Sequence, residues 1–112
     1  MRETWTVVVS PEVASWYRRL NPADRRLVDK MLDKLRTLGS QLRMPHSRPL
    51  GEGLFELRFA IQQATVDQRI TYTFEPQQRI ITLTFRKTRS NERHEVARAR
   101  QAKADHEKES EA

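Results

Sequence analysis

Cysteine is absent from the 112 residues, which excludes a disulfide framework and any thiolate-bound metal. Glycine occurs only three times, and nowhere as a phosphate-cradling loop or a dinucleotide fingerprint. The segment "GEG" at 51–53 reads as a turn before a strand. No apolar run approaches the ~18 residues of a membrane span. The opening "MRETWTVVVS" has no apolar stretch long enough for a signal peptide. The expectation is a cytoplasmic protein without a membrane partner. His46, His94 and His106 are scattered and lack metal-ligand spacing. No triad signal and no internal repeat occurs, and no metal or cofactor is expected.

What the chain has is positive charge. Lys and Arg number 21 against 15 Asp and Glu, a net charge of +6. That balance favours a polyanionic partner such as nucleic acid, or an acidic protein. Solubility alone is the competing explanation. The length fits one domain with one modest core. We read that domain over 1–104, with a charged, frayed tail over 105–112.

Local patterns predict the elements. "TWTVVVS" (4–10) is β-branched and aromatic, a strand by composition. Ser10 then caps a short helix that Pro11 opens, with Val13, Trp16, Tyr17 and Leu20 at helical spacing. Asn21 and Pro22 restart the pattern. Leu27, Val28, Met31, Leu32, Leu35 and Leu38 form an i, i+3, i+4 stripe that Gly39 ends. Residues 40–53 read as a loop. Three strands follow, at 54–61, 68–75 and 79–86, and then a helix poor in large apolar residues. The order is β-α-α-β-β-β-α. It implies an α+β fold: an N-terminal strand, a helical hairpin, an antiparallel three-strand meander and a C-terminal helix, with the helices on one face of the sheet.

Alternation within the meander sorts the side chains. Phe55, Leu57, Phe59 and Ile61 share one face of the first strand; Glu56 and Arg58 share the other. Reading "PQQR" (76–79) as a four-residue hairpin loop sets Phe74 opposite Ile81, Tyr72 opposite Leu83 and Ile70 opposite Phe85. Thr73 then meets Thr82, Thr71 meets Thr84, and Arg69 meets Arg86. Arg58 falls near Arg69 on the same face. Two opposed guanidiniums destabilise a sheet unless an anion lies between them. A carboxylate from Glu52, Glu56 or Glu92 would serve. A phosphate is the other answer, gripped through arginine's planar fork. On the phosphate reading, removing Arg69 or Arg86 would relieve repulsion and leave stability unchanged or improved.

Such a site could cleave RNA without a metal. The 2′-OH attacks the adjacent phosphorus, and the reaction needs a base, cations for the transition state and an acid at the leaving oxygen. Arg58, Arg69 and Arg86 suit the cationic role. Lys87, crowded by Arg86 and Arg89, is the first candidate for proton transfer, and His94 in the last helix is the second. Arg48, Arg89 and Arg43 in the flanking loops would widen the RNA-binding surface.

The segments "RPLGEGLFELR" (48–58), "QRITYTF" (68–74) and "ITLTFRKTRSNERHEVARAR" (81–100) resemble the RelE/HigB superfamily of bacterial toxin–antitoxin toxins, closest to its phage-related, HigB-like branch. The matching positions are Arg48, Leu50, Gly53, Leu54, Glu56, Leu57, Arg58, Arg69, Tyr72, Phe85, Arg86, Lys87, Glu95 and Ala97 to Arg100. The chain lacks the proline that often precedes the last helix in that family. The resemblance implies a RelE-like fold and a ribosome-dependent mRNA endonuclease that inhibits translation. Its partners would be mRNA on the ribosome and a cognate antitoxin, often a helix-turn-helix DNA-binding protein. Two other readings stand beside it: a non-catalytic toxin of the same fold that poisons gyrase, as in the ParE branch, or a plain RNA- or protein-binding module.

Overall fold

The computed structural model describes residues 4–61, 68–87 and 91–111. It is an α+β fold in the order β1 (Thr6–Val8), α1 (Pro11–Arg18), α2 (Pro22–Leu38), β2 (Ser47–Gly51), β3 (Leu54–Phe59), β4 (Gln68–Glu75), β5 (Arg79–Lys87) and α3 (Glu92–Glu111). The five strands form one sheet in the order β1-β5-β4-β3-β2. β1 runs parallel to β5 and the other pairings are antiparallel, so the sheet is mixed.

The helix signals act as the sequence suggests. The Ser10 hydroxyl accepts from the Val13 N–H and donates to the Leu83 carbonyl, so one cap also ties α1 to β5. Asn21 caps α2 through the Asp24 N–H at 2.8 Å. Gly39 ends α2 at φ 52°, a left-handed conformation, and a Cβ there would lie 2.0 Å from the Trp5 indole nitrogen. Backbone conformation and close approach both demand glycine at that point.

Four expectations are corrected. The segment read as a loop contains β2, an edge strand whose Pro49 sits opposite Phe55. Proline is tolerated at a sheet edge, where no outward ladder bond is lost. The hairpin loop has three residues, Pro76 to Gln78, closed by Glu75 and Arg79; Gln77 and Gln78 both take positive φ. Near the turn the register is therefore one residue off the expected one: Thr73 meets Ile81, and Tyr72 meets Thr82. An irregularity between Ile70 and Tyr72 then restores it, so Ile70 meets Phe85 and Arg69 meets Arg86.

The third correction concerns the faces. The extra residue in β5 inverts its alternation midway. Ile80 and Phe85 join Trp16, Tyr72, Leu57, Ile70, Val28 and Leu35 in the main core under α1 and α2. Ile81 and Leu83 point the other way, with Leu54, and pack on Ala99, Val96 and Ala102 of α3. The helices therefore cover both faces, and α3 lies on the arginine face. Helix α3 also continues through 105–111, where a frayed tail was expected. Intrahelical pairs hold that stretch (Gln101 with Asp105, Lys103 with Glu107), and His106 meets Glu75 of β4 at 2.6 Å. Among the described residues, no helix is long and apolar enough to cross a membrane.

Candidate functional site

The far end of the sheet carries a row of like charges. Arg58, Arg69 and Arg86 are direct neighbours across β3, β4 and β5. A residue the sequence reading left out adjoins the row at its β3 end. The Arg58 N–H donates to the His46 carbonyl at 2.8 Å, one residue before β2 begins. Ser47 reaches Tyr72 on the main-core face and Arg48 reaches Glu92 on the other. His46, in the turn that leads into β2, lies beside Arg58. Both line a shallow depression of about 230 Å³ together with Pro45, Phe59 and Ala60. Sequence reasoning missed this histidine because a loop has no register. No local pattern in "SRPLG" announces the edge strand that would have placed it.

Within the row, an internal carboxylate separates the opposed arginines. Glu56, fully buried, accepts from Arg86 Nε at 2.9 Å and lies 3.5 Å from Arg69 Nε. Arg69 and Arg86 are themselves only 4% and 5% exposed. Arg86 also donates to Glu92 of α3 at 3.3 Å, and Glu92 takes Arg48 at 3.1 Å. The opposed arginines are thus separated by the internal carboxylate that was one of the two expected answers. Loss of either arginine takes one cation from the buried Glu56 and leaves it paired with the other.

The remaining expected site residues divide. Arg58 is half-buried and stays at the surface of the row, its Nη1 3.8 Å from the Met44 sulfur. Lys87 is exposed, one ladder position beyond Arg86 and opposite Gln68. His94 is exposed in the first turn of α3, its N–H held by Asn91. Arg43 is exposed too, but lines a different depression of about 400 Å³ with Leu42, Met44, Pro49 and Phe55. Arg89 lies outside the described residues. Tyr72 points into the core as expected; burial pushes its phenol up, more than the Ser47 hydroxyl lowers it. It stays a neutral core residue. Among the described residues, no cluster of histidine and carboxylate side chains could hold a metal ion.

The structure is a small α+β domain with a crowded, partly neutralised cationic row at one sheet end. Comparison narrows this further. Residues 15–104 match the family described as phage derived protein Gp49-like (DUF891), so the chain belongs to that family, which lies within the RelE/HigB-like toxin group. No curated protein matches the chain.

Proposed function

We propose that this protein is the toxin of a type II toxin–antitoxin system and acts as a metal-independent, ribosome-dependent mRNA endonuclease with a RelE-like topology. One observation carries the reading: Arg58, Arg69 and Arg86 fall in a single ladder row, and the His46 carbonyl accepts from the Arg58 N–H at its end. Four guanidiniums (Arg48, Arg58, Arg69, Arg86) face two carboxylates (Glu56, Glu92) there, leaving a net positive charge for a phosphate. In this reading Arg58 grips the scissile phosphate and supports charge on the transition state. Arg69 and Arg86, bound to Glu56, hold the row rigid. The 2′-OH attacks phosphorus, the P–O5′ bond breaks, and the products are a 2′,3′-cyclic phosphate and a 5′-hydroxyl. Imidazole suits the two proton transfers, and His46 now stands with Lys87 and His94 as a group for them. Arg48 and Arg43 extend contact along the message. The cognate partner would be a small helix-turn-helix antitoxin that masks the charge.

A second reading draws on the burial of Arg69 and Arg86. With Glu56 and α3 in place, neither reaches solvent freely, which favours a non-catalytic toxin of the gyrase-poisoning kind or a plain binding module. Primer extension on total RNA after induction separates these. New 5′ ends within translated codons, lost on Arg58→Ala, are expected. Loss of plasmid supercoiling without new ends would overturn the nuclease reading in favour of gyrase. No effect on growth would favour the binding module.

A further inference from the structure

Glu92 binds two arginines that come from strands separated by two others in the sheet. Arg48 lies on the edge strand β2 and Arg86 on β5, with β3 and β4 between them. Both donate to the same oxygen, Oε1, at 3.1 and 3.3 Å. Glu92 is nonetheless half exposed, at 52% of its side chain, and Arg48 is 45% exposed. This differs from Glu56, which is wholly enclosed. A carboxylate that holds two guanidiniums at the surface, from the first residue of a helix, has the chemistry of a replaceable anion. Two donors converging on one oxygen is also how guanidiniums take a phosphate oxygen. The neighbouring Arg93 and His94 are exposed beside it.

We infer that Arg48 and Arg86 form a phosphodiester-binding site that the Glu92 carboxylate occupies until a single-stranded RNA phosphate displaces it. The inference rests on the RNA-directed reading above and adds a regulatory contact to it. Glu92 costs affinity, because an incoming phosphate must break its two ion pairs. It gains order for free protein, because it satisfies Arg86 and starts α3. Once displaced, Glu92 swings to solvent, and Arg86 keeps Glu56 on its Nε while its Nη2 turns to the phosphate. Arg48 follows the same exchange.

The test is binding of a 2′-O-methyl single-stranded oligoribonucleotide, which cannot be cleaved, followed by fluorescence anisotropy over a range of salt. Glu92→Gln should bind about 5–10-fold more tightly than wild type at low salt. Its plot of log affinity against log salt should steepen by roughly 0.7, the increment for one more phosphate contact on a single strand. Glu107→Gln makes the same change in net charge on the far part of α3 and should gain much less. Glu92→Asp keeps the charge at the helix start but shortens the reach, so it should also gain; it serves if Glu92→Gln loosens α3. Adding Arg48→Ala to Glu92→Gln should abolish the gain. Equal binding by Glu92→Gln, Glu107→Gln and wild type would overturn the inference while leaving the RNA reading intact. No RNA binding by any of them would overturn both.

Discussion

The two faces of this sheet are held by different physics. Under α1 and α2, aromatic rings carry the contact: Trp16 stacks on Phe85 with centroids 4.4 Å apart, and Phe55, Tyr72 and Phe74 interlock at 5.1–5.6 Å. Under α3 the apolar contribution is one small cluster around Leu54, Ile81, Leu83 and Ala99. Charged and polar bonds do the rest. Arg98 binds Glu12, Glu95 and the Phe85 carbonyl, and Arg100 reaches the Leu50 and Gly51 carbonyls. Below the helix lie Glu56, Arg69 and Arg86. Apolar burial is non-directional and tolerates repacking; buried ion pairs are directional and fail when one member is lost. The face that carries the proposed site is therefore the face whose stability and charge are tied together.

The largest expected effect breaks the polar face. Glu56→Ala leaves Arg69 and Arg86 opposed and buried, and should lower unfolding free energy by about 3–5 kcal/mol in urea titration. The triple change of Glu56 to Leu with Arg69 and Arg86 to Met should recover most of that loss, because a buried ion cluster replaced by apolar groups is commonly neutral or stabilising. A triple variant no more stable than Glu56→Ala would show that the cluster does more than neutralise itself.

On the other face, Leu35→Ala should cost about 2–5 kcal/mol, since Leu35 is fully buried. Leu32 on the same stripe is only half-buried and should lose clearly less on truncation. Equal losses at the two positions would place the centre of the α2 contact wrongly.

The Glu12–Arg98 pair between α1 and α3 predicts a pH dependence. Burial alone would raise the Glu12 carboxyl, but its bonds to Arg98 and to the Phe85 N–H, with the Arg98 charge, outweigh that and hold it below the ordinary value of 4.5. Its stabilising effect is full above that value and is lost as pH falls through the depressed one. The same Glu12 bonds push the Arg98 guanidinium upward, with Glu95 adding to them against burial, so Arg98 stays charged throughout. Arg98→Met should therefore be less stable than wild type at pH 6, with the gap narrowing as pH falls through the depressed Glu12 value. The gap is modest because the pair is more than one-third exposed. A gap that does not change with pH would mean that Arg98 acts by packing alone. Smallest of all, Arg36→Ala should shift stability by less than about 0.5 kcal/mol, its partner Asp33 being largely solvated.

The sequence by itself determined the caps, the extents of α1 and α2, the burial of Tyr72 and the shared face of Arg58 and Arg69. These follow from local signals: Ser10 and Asn21 before prolines, Gly39 after a leucine stripe, and period-two alternation in β3 and β4. It also carried the family resemblance, which the Gp49-like match supports at the level of the toxin group. Only the tertiary structure decided the rest. "IITLTF" has apolar residues at both parities, so alternation alone cannot say which of Ile80 and Ile81 faces α1; the irregularity in β5 and the presence of α3 settle it. β2 exists because β3 offers it an edge, which "SRPLG" does not announce. Glu56 was one of three carboxylates able to separate the arginines, and its choice depended on burial and approach from β3, distances that no local pattern encodes.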